Sequence, residues 1–216
     1  MDWTEQLDDY CERTDAGLWS EPLNFASNAA FIVAAALAWR RYRRAGVRDL
    51  GLAAQIALLF AIGVGSALFH SVATRWAMIA DVAPITALMF VYLGYFLRRV
   101  LVWPTARVVA GLVGFAVVSG LLGLIPRAWL NNSQSYLGTV AAMGVMASAT
   151  WPTVGRRLAL GAALFVTSLT LRSIDQAVCP TVPIGTHFLW HTLNGVLLYI
   201  LVAAVIDERA QRAPVG

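Results

Sequence analysis

The chain contains no lysine; all 16 of its basic residues are arginine. It holds only three histidines, two cysteines and 12 acidic residues among 216. Charged residues are 13% of the total, about half the share of a soluble domain. With 59% hydrophobic residues and a mean hydropathy of +0.67, this scarcity excludes a water-soluble globular protein and predicts an integral membrane protein. Arginine in place of lysine fits a GC-rich genome and hence a bacterium. No internal repeat and no low-complexity stretch is visible. The opening Met1-Asp2-Trp3-Thr4-Glu5 is acidic rather than basic, so no cleavable signal peptide is expected, and the first apolar segment must serve as signal and anchor together.

What the chain does have is long apolar runs. A spanning helix needs roughly 20 mostly apolar residues. Seven such segments are predicted: Asn24–Trp39, Leu50–His70, Ile79–Leu97, Arg107–Ile125, Ser135–Trp151, Leu158–Leu171 and Thr186–Ile206. The fifth is rich in small residues, which suits packing between helices, and the sixth is short. The expected fold is an all-α, seven-helix membrane bundle forming one domain over residues 1–216. Residues 1–23 form an acidic extracytoplasmic segment and 207–216 a short cytoplasmic tail.

Arginine sets the orientation. Arg40, Arg41, Arg43, Arg44 and Arg48 follow the first segment, Arg98, Arg99 and Arg107 the third, Arg156 and Arg157 the fifth, and Arg209 and Arg212 the last. Twelve of the 16 arginines therefore fall on one side and nine of the 12 acidic residues on the other. The N-terminus is placed outside and the C-terminus in the cytoplasm. The net charge of +4 is explained by this topology, so no nucleic-acid partner is expected. Trp19, Trp76, Trp129 and Trp151 are read as interfacial anchors.

All three histidines then meet the outer face. His70 ends the second segment, and His187 and His191 share a face at the start of the seventh. Ser66, one turn before His70, and Asp81, at the start of the third segment, lie at the same depth. Ionisable groups near a bilayer core are costly and mark function. Three neutral imidazoles bind zinc and leave one position for water, whose pKa the metal lowers toward about 7. Asp81 is suited to carry that water's proton, and Ser66 to hydrogen-bond a developing oxyanion. Gly63 and Gly65 allow close helix approach. Cys11 and Cys179 both fall outside, where disulfides persist, and a Cys11–Cys179 bond is predicted.

Gly63-x-Gly65-Ser66-x-x-Phe69-His70, Asp81-x-x-Pro84 and His187-x-x-Trp190-His191 resemble the three signatures of alkaline ceramidases. Asp9-Tyr10-Cys11-Glu12, with Glu21-Pro22-Leu23-Asn24 and Asn28, resembles that family's entry into its first span. The wider superfamily includes adiponectin-receptor-like and Per1-like membrane proteins. The resemblance implies seven helices around a zinc held by His70, His187 and His191. It implies hydrolysis of the amide of ceramide or a related N-acyl lipid, with Asp81 and Ser66 catalytic, giving a fatty acid and a sphingoid base or amine. It also implies a calcium ion on Asp9, Tyr10 (through its carbonyl), Glu12, Thr14 or else Asp15, and Glu21. The lipid substrate comes from the bilayer, in a bacterial inner membrane with the active site toward the periplasm, or otherwise on the lumenal side of an endomembrane. The second reading is a non-catalytic superfamily member, receptor-like or a membrane-protein chaperone, with a structural zinc.

Overall fold

A computed structural model describes residues 2–212, and among these every extended regular element is helical; the one β-bridge joins Gln6 to Thr74. The helices are α1 (Pro22–Ser27), α2 (Ala29–Ala45), α3 (Leu50–Val72), α4 (Arg75–Tyr95), α5 (Thr105–Leu122), α6 (Arg127–Leu130), α7 (Leu137–Ala149), α8 (Val154–Val178) and α9 (His187–Gln211). A π-helical turn, Phe96–Val100, extends α4, and a 3₁₀ turn, Gln134–Tyr136, precedes α7.

Six helical stretches are long and apolar enough to cross a membrane: Pro22–Ala45, Leu50–Val72, Arg75–Val100, Thr105–Leu122, Val154–Val178 and His187–Gln211. The predicted fifth span, Ser135–Trp151, is not among them. Its α-helical part, α7, has 13 residues, about 20 Å of helix against a hydrocarbon core of about 30 Å. The predicted short sixth segment, Leu158–Leu171, needs the opposite correction, because α8 runs 25 residues. Hydropathy stops at Arg172 and Asp175, but the fold satisfies both. Asp175 is 1% exposed and accepts three backbone N–H groups. α2 likewise continues through Arg40–Arg44, and α9 extends to Gln211, so the expected tail is largely helix; its last four residues, 213–216, lie outside the described ones.

The arginine-bearing ends gather at one end of the bundle. The Arg41 guanidinium grips Asp207 with two bonds of 2.6 Å, from Nε to Oδ1 and from Nη2 to Oδ2. Arg157 at the start of α8 pairs with the same carboxylate, and Arg209 reaches Asp49, the N-cap of α3, at 3.4 Å. Beneath them lies an apolar core that includes Leu52, Phe96, Leu158, Val205 and Ile206. Trp19, Trp76, Trp129 and Trp151 are all exposed.

At the opposite end the N-terminal segment lies over the α3–α4 turn. Leu7 N donates to Ala73 O at 2.7 Å, and Arg75 N to Glu5 O at 3.1 Å. The predicted disulfide is present: Cys11 is bonded to Cys179, just after α8, across 168 residues of chain. Closing so long a loop removes much freedom from the unfolded chain, worth roughly 2–5 kcal/mol. Reduction with dithiothreitol, or the Cys11→Ser substitution, is expected to lower the melting temperature in detergent. An unchanged melting temperature after verified reduction refutes this.

Candidate metal centre

His70 sits in the last turn of α3, and His187 and His191 occupy the first two turns of α9. Each is 2% exposed or less. Their ring centroids lie 4.5–5.2 Å apart. One nitrogen from each ring lies within 4.8 Å of the other two, and among the described residues this is the one group of three His, Cys, Asp or Glu side chains so arranged. His70 Nε2 and His187 Nδ1 are buried without a hydrogen-bond partner. Orphaned buried nitrogens are expensive, and a shared metal ion would satisfy them. The donor set fits zinc.

Two of the opposite ring nitrogens are held from outside, the arrangement that orients a metal-binding histidine. His70 Nδ1 meets Glu21 Oε2 at 2.6 Å. His191 Nδ1 meets Ser27 Oγ at 2.8 Å. The His187 ring stacks on Tyr10 at 3.6 Å between centroids. Burial works to raise the Glu21 carboxyl, but hydrogen bonds from His70, Asn24 and Arg13 outweigh it and hold it below its ordinary value.

Asp175 fixes the height of α9. Its Oδ1 accepts from Thr186 N at 2.6 Å and His187 N at 2.9 Å, closing the helix start, while Oδ2 accepts from Cys11 N at 2.9 Å. Gly185 makes this approach possible: its φ is +63°, and a Cβ there would lie 2.2 Å from Asp175 Oδ1.

Ser66 is buried on α3, and its neighbour Gly65 packs against α4 at Ala80 and Asp81. Asp81 Oδ1 has no hydrogen-bond partner. Two sequence features bring these helices together. Pro84 has no N–H to give the carbonyl of Ala80, four residues earlier. Gly65 then packs against that carbonyl so closely that a Cβ would lie 2.1 Å from Ala80 O and 3.3 Å from Asp81 Cα. Gly65→Ala is therefore expected to force α3 and α4 apart, lowering stability by more than the roughly 1–3 kcal/mol of ordinary overpacking, with loss of any activity that needs Ser66 beside Asp81. A variant with wild-type melting temperature and activity refutes this placement.

Arg172 was not among the candidate site residues read from the sequence. Its guanidinium lies 5.6–5.9 Å from the ring centres of Tyr10, Tyr136 and Trp190, in cation–π range, and donates to Asn131 O, Ser133 Oγ and Tyr10 Oη. Below Trp190 and Asn194 opens an apolar cavity of about 90 Å³, bordered by Phe31, Leu88, Met143 and Phe165.

The residues expected to hold calcium are not assembled in the same way. Asp9, Glu12 and Glu21 do not all three bring carboxylate oxygens within 4.8 Å of one another. Both Glu12 oxygens accept backbone N–H groups, from Leu23 at 2.7 Å and Asn24 at 2.8 Å. Both Glu21 oxygens are also engaged, with Arg13 on one and His70 and Asn24 on the other. Thr14 and Asp15 are exposed. Burial pushes the Asp9 carboxyl above its ordinary value. Nothing in the sequence distinguished Glu21 as a partner of His70, because the two are 49 residues apart.

The class this geometry defines is a helical multi-pass membrane protein with a buried three-histidine cluster that could bind a metal ion. The family model described as Ceramidase matches residues 2–213. The chain belongs to the Ceramidase family, and membership implies an amidohydrolase of membrane lipid. A comparison with curated proteins finds no match.

Proposed function

We propose that this protein is a zinc-dependent hydrolase that cleaves the amide of ceramide or a related N-acyl lipid, releasing a fatty acid and a sphingoid base or amine. The observation that carries the reading is the His70–His187–His191 cluster, with His70 Nε2 and His187 Nδ1 unpartnered and the outer nitrogens of His70 and His191 held by Glu21 and Ser27, in a chain of the Ceramidase family. A zinc ion on these nitrogens supplies a Lewis acid and a water activated at neutral pH. Asp81 accepts a proton and returns it to the departing amine. The Ser66 hydroxyl donates a hydrogen bond to the carbonyl oxygen as negative charge develops there. The apolar cavity below Trp190 takes acyl chain, and lipid enters sideways from the bilayer.

Seven crossings, with the N-terminus outside and the histidine cluster facing the periplasm of a bacterial inner membrane or an endomembrane lumen, complete the proposal. The chain's own connections support it. Ser133, just before α7, bonds Arg172 near the histidine end, while Arg157, just after it, pairs with Asp207 at the arginine end. The short α7 therefore has to carry the chain across, sheltered between α5 and α8.

The test is fatty-acid release from ceramides and other N-acyl lipids by purified protein in detergent. Stripping metal with a chelator is expected to abolish release, and zinc to restore it. Release that survives verified metal removal sinks the mechanism. Metal retention without hydrolysis of any N-acyl lipid favours the non-catalytic reading.

A further inference from the structure

Arg13 is 7% exposed and each nitrogen of its guanidinium donates to a different acceptor. Nε donates to Glu21 Oε1 at 2.6 Å, Nη1 to Asp15 O at 3.0 Å, and Nη2 to His70 O at 3.3 Å. These acceptors belong to three different pieces of structure. Asp15 lies in the N-terminal segment. Glu21 precedes α1 and holds the ring of His70. His70 O belongs to the last turn of α3, where carbonyls lack helical partners.

A calcium ion in this region would need six to eight oxygens at about 2.3–2.6 Å. Any two of its ligands therefore lie within about 5 Å of each other. The three candidate carboxylates do not form a group within 4.8 Å of one another. Glu12 is committed to the backbone of Leu23 and Asn24, and Glu21 to Arg13, His70 and Asn24. A fixed guanidinium within this cluster also repels a divalent cation.

We infer that Arg13 is the resident cation of the N-terminal clasp: its guanidinium ties the segment to the end of α3 and positions Glu21 on His70, so this chain binds no calcium there. Arg13 is a positioning residue, acting on the metal centre through Glu21. The forked guanidinium suits the task, since it presents several donors in fixed directions, as a bound ion presents several coordination sites.

Two measurements test this. The first is the melting temperature of wild-type protein in detergent, in metal-depleted buffer and with calcium chloride or magnesium chloride added to about 5 mM. The expected calcium shift is less than about 1 °C and equal to that of magnesium, because a ligand with no folded-state site does not stabilise. A saturable shift with calcium that magnesium does not reproduce overturns the inference. The second is zinc affinity, measured by competition well below the melting temperature, for wild type and Arg13→Gln. The variant is expected to bind zinc about 10–100-fold more weakly, the usual cost of releasing a group that orients a ligand. Unchanged affinity overturns the positioning role. This second measurement rests on the zinc reading above, which elemental analysis of the wild type judges separately. A wild type devoid of zinc defeats that reading, while the calcium titration still decides the inference.

Discussion

Asp81→Asn is expected to lower fatty-acid release by about 100- to 10,000-fold, the range for loss of a positioned proton carrier, while zinc content stays at the wild-type level. Asparagine keeps the size and shape of the side chain, so the fit of α4 against Gly65 is preserved. What it loses is the ability to take a proton. Asp81 Oδ1 is buried without a partner, a costly state that a purely structural carboxylate has no reason to maintain beside the histidines. Ser66→Ala should cost less, because it removes a single hydrogen bond to the developing charge. The decisive comparison is release rate against metal content in the same preparation. Equal rates for wild type and Asp81→Asn remove Asp81 from the chemistry. Loss of metal along with activity makes it a structural part of the centre instead.

Asp175→Ala is expected to be the most destabilising single change at the histidine end of the bundle, by about 3–5 kcal/mol, since three backbone donors lose their acceptor together. Two of them, Thr186 N and His187 N, open α9, and the third, Cys11 N, belongs to the N-terminal segment. The carboxylate also faces the positive end of the α9 dipole. Because His187 is one of the two proposed ligands on α9, weaker zinc binding should accompany the fall in melting temperature. Asp175→Asn keeps an oxygen for α9 and should be milder. An alanine variant that melts within about 2 °C of wild type, where several kcal/mol predicts a much larger fall, shows that the carboxylate is not what holds the end of α9.

Much of the metal centre was legible in the chain before its structure. Hydropathy located the ends of the segments, the arginine count sorted those ends into two faces, and the three histidines, Ser66 and Asp81 all came to one of them. That reasoning worked because the bilayer imposes a single dimension, depth, and depth follows directly from position along an apolar run. The same reasoning cut α8 short. Arg172 and Asp175 look like the end of a span, yet Arg172 lies among three aromatic rings and Asp175 beneath three backbone donors. α7 is apolar enough to look like a span but short, its Met143 and Met146 buried in the core.

The N-terminal segment marks the other boundary. The residues that carry its resemblance to a calcium-binding entry are engaged by other protein groups in this structure. Glu21 serves His70, Glu12 serves the first turn of α1, and Arg13 joins the segment to α3. None of these pairings follows from spacing, because each depends on which way a side chain turns once the chain has folded back on itself.

By itself, then, the sequence determined a helical membrane protein, the end of the bundle at which the histidines lie, the disulfide between Cys11 and Cys179, and the ligand types. Apolar length, arginine bias and side-chain chemistry are properties that act along the chain and need no partner. Only the tertiary structure decided that Glu21 meets His70, that Asp175 anchors His187, that Gly65 packs α3 against the carbonyl Pro84 leaves free, and that Arg13 joins Glu21 to the end of α3. Hydrogen bonds and close packing act over about 3–4 Å between residues far apart in the chain, so their partners exist only once the helices are in place.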